Sequence, residues 1–146
     1  MPLARKKAGP QGLGRSRGGL SSKIHIVVDA LGRPVRGSLA AGQVNDITQA
    51  LPLLQGLCIG ALVGDKAYDT DALLAHLESI GARAVIPPTA RRLHQRRFSK
   101  VAYRDRNLIE RWFCRLKQFR RIATRYEKLA ERFISFISLV SALCWL

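Results

Sequence analysis

Hydrophobic positions change their spacing several times along the chain, and each change marks an expected element. "SKIHIVVDA" (22–30) is a β-branched run of strand character. "LGRP" then reads as a turn, and "VRGSLAA" (35–41) as the returning antiparallel strand. In "NDITQALPLLQGL" the apolar residues move to helical spacing behind a cap at Asn45 or Asp46. "IGALVGD" (59–65) is short, apolar almost throughout and closed by a carboxylate, the pattern of a buried strand. A helix is expected in "DTDALLAHLESIG", capped at Asp69 or Thr70 and ended by Gly81. "ARAVIPP" (82–88) is a second buried strand, stopped by its prolines. The basic loop "TARRLHQRRFSKVAY" leads to a long helix from about Arg104 to Ile122, and a last helix runs from about Tyr126 to the terminus.

A strand hairpin followed by helix, strand, helix, strand and a helical tail predicts an α/β layer with parallel pairs at its centre. The length of 146 residues fits one domain with a single core. Residues 1–22, rich in Gly, Arg and Lys and without periodicity, read as a basic flexible segment ahead of a domain over 23–146. That segment has no apolar stretch of the kind a signal peptide needs. The apolar ending "FISFISLVSALCWL" falls short of the roughly 20 residues of a membrane span, and Ser135, Ser138 and Ser141 interrupt it. It is expected to be a core-packed helix in a cytoplasmic protein without membrane contact.

Charge adds a partner. Against 10 acids stand 25 Lys and Arg residues, a net charge of +15. Such an excess points to a polyanion, nucleic acid first of all, although a structural RNA binder would share this composition. Cys58, Cys114 and Cys144 form no CxxC pair and read as small buried hydrophobes in a reducing compartment. His25, His76 and His94 show no metal-ligand spacing.

With so few acids, each can be weighed. Asp46, Asp69 and Asp71 stand at helix starts, where capping and the helix dipole account for them. Glu78, Glu127 and Glu131 read as solvated helix positions, and Asp105 as a first-turn acid. Asp29 leads straight into a turn, where Asp is common. Asp65 stands at the carboxyl end of an apolar strand, where open α/β sheets place ligands; capping of the next loop is the plainer alternative. On a helical wheel Leu108, Ile109, Trp112, Leu116 and Phe119 form the core stripe. Tyr103, Arg106, Glu110 and Lys117 share a different, narrow arc. Glu110 is then either the partner of Arg106 in an ordinary i,i+4 pair or a carboxylate set among cations for its chemistry.

The spacing Tyr103-x2-Arg106-x3-Glu110-x6-Lys117 resembles the signature of DDE transposases from bacterial insertion sequences, and "GDKAYD" resembles the motif around their second catalytic aspartate. "GRSRGGLSSKIHIVVDALGRPV", "GQVNDI" and "RRIATRYEK" are similar to the insertion-sequence-five family in particular. The resemblance implies a ribonuclease-H-like fold, present here as its C-terminal part. It also implies Mg²⁺-dependent (or Mn²⁺-dependent) cleavage and transfer of DNA strands, with Asp65 and Glu110 as catalytic metal ligands. Tyr103, Arg106 and Lys117 would contact phosphates near the cut. The bases of 91–128, among them Arg111, Arg120, Arg121, Arg125 and Lys128, would track the backbone together with Lys66.

The family's first catalytic aspartate lies on a strand before "GRSRGG", and the residues present there include no Asp or Glu. Asp29 aligns with the second strand and cannot simply take that role. The expectation is therefore a chain that binds double-stranded DNA, at insertion-sequence ends and target, and supplies two of three carboxylates. An upstream-frame part would complete it, and it would act as a homo-oligomer on DNA. The alternative is a non-catalytic DNA-binding fragment that regulates the full transposase.

Overall fold

The computed structural model describes residues 12–17 and 19–144. The expected flexible segment falls in part on residues 1–11 and 18, which lie outside the described residues. The β-branched run forms strand β2 (Gly19–Val28), which starts earlier than its hydrophobic pattern suggests because β1 (Gly14–Ser16) pairs with Gly19–Ser21. Gly32, at φ +78°, lets the chain turn back into β3 (Pro34–Ala41), antiparallel to β2 from Ser22 to Val28.

Alternation along β2 divides the core in two. Ile24, Ile26 and Val28 face one side, where they pack with Trp112, Leu116, Ile122, Phe133, Ile137 and Val140. Val27 faces the other, against Ala50, Leu54, Leu73, Leu77 and Ile86. The second cluster comes from helix α1 (Ile47–Leu54), helix α2 (Asp71–Ser79), and the strands β4 (Ala61–Val63) and β5 (Arg83–Val85), which pair in parallel. Thr70 caps α2, its hydroxyl accepting from the Leu73 amide, and Gly81 at φ +70° ends it. The fold is thus mixed α/β, with helices on both faces of the β2–β3 hairpin.

The expected long helix is cut into pieces. Helix α3 (Lys100–Tyr103), capped by Ser99, runs through a 3-10 turn (Arg104–Arg106) into α4 (Asn107–Lys117). Phe119 then takes an extended conformation before α5 (Arg120–Ala123). This break corrects the core stripe. Trp112 and Leu116 are buried as expected, but Phe119 is exposed and Ile122 takes the core position beyond the kink. The last helix, α6 (Ala130–Leu143), starts later than Tyr126, which is exposed, and buries Phe133, Ile137, Val140 and Ser141. No helix among the described residues is long and apolar enough to cross a membrane. The cysteines correct a further expectation: Cys58 and Cys114 are exposed and Cys144 only half-buried.

Candidate active site

Asp65 closes the β4 segment. Gly64 leads into it with its amide donating to the Val85 carbonyl at 3.3 Å, so the loop leaves the sheet beside β5. Asp65 Oδ1 accepts from the Lys66 amide at 2.6 Å and caps a 3-10 turn, Lys66–Tyr68. The capping role is therefore real, and it engages one oxygen. The other, Oδ2, lies 3.3 Å from Arg106 Nη1.

Arg106 links the acids. Its Nη2 pairs with Glu110 Oε1 one helical turn on, and its Nη1 reaches the Tyr103 hydroxyl at 3.2 Å. The guanidinium also lies over the Tyr103 ring, 5.7 Å from the centroid, and Tyr103 meets Phe98 edge-on. The i,i+4 pair of the plainer reading exists, but it is extended to a third group from a different element. Glu110 sits in the first turn of α4, where the dipole favours a carboxylate. Trp112 and Leu116 fix that helix against β2 from its opposite side.

Hydrogen bonding to Glu110, then to Tyr103, holds the Arg106 guanidinium protonated more firmly than usual. The side chains of Asp65 and Glu110 are about half exposed, at 50% and 53%. Both acids thus turn an oxygen to one cationic group on an open surface. Oxygen donors with room for water suit a hard divalent cation such as Mg²⁺, so the two residues fit that metal. Among the described residues no group of three or more His, Cys, Asp and Glu side chains comes together as a metal site.

The remaining cations divide. Lys66, Arg111, Lys117, Arg120 and Lys128 are exposed. Lys117 lies on α4 on the Glu110 side, about 10 Å further along the axis at 1.5 Å per residue. Arg121 is exposed as well but pairs with Glu127 at 2.9 Å and lies over the Phe136 ring. Arg125 turns inward: Nε donates to the Glu127 carbonyl at 2.9 Å and Nη1 to the Ser22 hydroxyl at 2.5 Å. Its place against the Phe133 ring ties the 124–128 loop to the hairpin, a use its sequence position did not suggest.

Asp29 is held by its own turn. Its carboxylate accepts from the Leu31 and Arg33 amides, both at 2.9 Å, and from Arg33 Nε at 2.8 Å. These bonds, led by the Arg33 amide, lower its pKa. Glu127, read as solvated, is largely covered instead.

Sequence reasoning missed Asp69, whose side chain is fully buried. Thr70 supplies the cap of α2, while Asp69 accepts from Arg92 Nε and the Thr89 amide, both at 2.7 Å, and pairs with Arg96 at 3.3 Å. Burial opposes its ionisation, but the Arg92 and Thr89 hydrogen bonds and the two cationic charges outweigh that and lower its pKa. Arg92 and Arg96, counted among the bases that track DNA, are thus spent inside the fold. The surplus of acids in "YDTD", more than one cap requires, was the available signal.

These features define a mixed α/β protein that sets a pair of carboxylates into a strongly cationic face. The family described as "Transposase DDE domain" matches residues 3–145. A protein of Brucella ovis, assigned by name as transposase for insertion sequence element IS6501, is 39% identical over 129 residues, which cover 87% of this chain and 99% of that protein. One of Burkholderia cepacia, assigned likewise to element IS402, is 34% identical over 154 residues, with 97% of this chain and 70% of that protein covered. No solved structure matches. The chain belongs to the DDE-type transposases of insertion sequences.

Proposed function

We propose that this chain acts in DNA transposition by gripping duplex DNA of insertion-sequence ends and target, with Asp65 and Glu110 as the carboxylates of a strand-cleavage and strand-transfer site. The observation that carries this reading is the convergence of both acids, from separate elements, on Arg106. Asp65 and Glu110 would hold Mg²⁺ or Mn²⁺, which when bound polarises the phosphodiester and offsets charge on its oxygens. The chain's own residues handle the DNA. Arg106 and Tyr103 engage phosphate beside the acids, and Lys66, Arg111, Lys117, Arg120, Arg121 and Lys128 offset phosphate repulsion and position the backbone without reading its sequence.

The antiparallel sheet β1–β2–β3 and the separate parallel pair β4–β5, with helices on both faces of the hairpin, are the elements that support a partial ribonuclease-H-like fold over 23–146. Among the described residues two acids, Asp65 and Glu110, meet at Arg106, and Asp29 is engaged by its turn. On this reading the chain supplies two of three carboxylates, a further part gives the third, and the assembly acts as an oligomer on DNA. The same observation suits a second reading, a DNA-binding regulator of the complete transposase. A strand-cleavage assay with Mg²⁺ on duplex DNA carrying the element's ends tests the proposal. Tight duplex binding with no cleavage by the chain alone is expected. Robust cleavage that persists in Asp65→Asn would overturn it, and unchanged transposition on co-expression would remove the regulatory reading.

A further inference from the structure

Behind the Asp65 turn lies an ion cluster that none of the proposed chemistry uses. Asp69 is fully buried, receives Arg92 and Arg96 from the loop after β5, and accepts the Thr89 amide. Arg92 also reaches Asp71 at 2.8 Å and the Asp69 carbonyl at 3.4 Å, while Arg96 donates to the Ile86 carbonyl at 2.9 Å. The turn is closed on itself as well: the Tyr68 amide donates to the Asp65 carbonyl at 2.9 Å, and that of Asp69 to the Lys66 carbonyl at 3.1 Å. With Gly64 hydrogen-bonded to Val85, the segment 64–69 is pinned at one end to the last residue of β5 and at the other, through Asp69, to the loop that follows it, at the carboxyl end of the parallel pair.

A cluster of this kind is a poor source of stability. Taking a carboxylate and guanidinium groups out of water costs much of what their attraction returns, and Arg96 leaves Nε and Nη1 buried without a partner. What such a cluster does supply is one geometry for the chain around it. A ligand carboxylate on a short exposed loop needs that, because displacements of order 0.5–1 Å already spoil a site.

We propose that Asp69, clamped by Arg92 and Arg96, is a positioning residue that holds the Asp65 turn in place for cation binding. This rests on the reading of Asp65 and Glu110 as metal ligands. It makes the second aspartate of "GDKAYD" a support for the first.

The test is Mn²⁺ titration of the full chain, followed by electron paramagnetic resonance, for the native protein and for Asp65→Asn, Asp69→Asn, Arg92→Gln and Arg92→Lys. Amide exchange across 66–69 is recorded in parallel. Asp65→Asn is expected to remove the saturable site. Asp69→Asn and Arg92→Gln are expected to weaken it about 10- to 100-fold, the range seen when groups behind a ligand are lost. Both should speed exchange in the turn, and Arg92→Lys should recover part of the affinity. If Asp69→Asn fails to fold, Arg92→Gln decides, since Arg96 and the Thr89 amide still hold Asp69. Folded variants with native Mn²⁺ affinity overturn the positioning role. A native protein without a saturable site, or one indistinguishable from Asp65→Asn, sinks the underlying reading instead.

Discussion

Asp65 Oδ2 and Arg106 Nη1 stand 3.3 Å apart, joining the turn after β4 to the helical segment that carries Glu110. On the proposed reading a metal ion would draw on the same two carboxylates as this guanidinium, so the two would compete. Arg106→Gln is therefore expected to raise affinity for Mn²⁺ while lowering affinity for duplex DNA. Removing one phosphate contact should make the slope of log K against log salt shallower by roughly 0.9. Calorimetry with Mn²⁺ and DNA titrations at several salt concentrations check both. A loss of both affinities would show that Arg106 does not compete for the acids.

Outward and inward cations should separate by the same salt analysis. Lys117→Ala, Arg111→Ala and Arg120→Ala remove exposed charges and should each weaken binding to any duplex, with a slope change of roughly 0.9 apiece. Arg125→Gln should leave the slope unchanged. It breaks hydrogen bonds to Ser22 and to the Glu127 carbonyl, and a cost of about 1–3 kcal/mol in a urea titration is expected.

His25 makes stability depend on pH. It is buried on β2, its Nε2 has no hydrogen-bond partner, and burial lowers its pKa more than Asp46 raises it. The folded protein therefore binds this proton less readily than the unfolded chain, whose His titrates near the ordinary value of 6.5. The contribution is complete above that pH and is lost as pH falls from it through the lower folded value. Urea midpoints measured from neutral pH down to 5 should decline in the native protein and decline less in His25→Leu. Equal declines would place the titrating group elsewhere.

Trp112, 2% exposed, anchors α4 against β2 and meets Phe113 edge-on. Trp112→Ala should cost about 3–5 kcal/mol in thermal or denaturant unfolding. Because Glu110 lies on the same helix, the variant should also lose Mn²⁺ affinity at temperatures where it remains folded.

Local chemistry made much of this readable from the residues. The β-branched run before "LGRP" specified a hairpin, Thr70 and Gly81 bounded α2, and Arg106 meets Tyr103 and Glu110 even though a 3-10 turn interrupts the helix there. What failed depends on tertiary context. Nothing local marks the break at Phe119, which follows from Ile122 entering the core. A basic loop also gives no sign that Arg92 and Arg96 turn inward to a buried aspartate, because their partner is more than 20 positions away. The same holds for Arg125, whose partner Ser22 lies on the hairpin.

Whether Asp65 and Glu110 flank one cation can be read from where that cation does damage. Fe²⁺ substituted for Mg²⁺, with peroxide added, cuts the backbone next to its own ligands, and mass spectrometry locates the cuts. Cleavage is expected in both segments, around 65 and around 110, with both sets of fragments lost together in Glu110→Gln and in Asp65→Asn. Cuts confined to one segment, or cuts near 65 that persist unchanged in Glu110→Gln, would contradict a shared site.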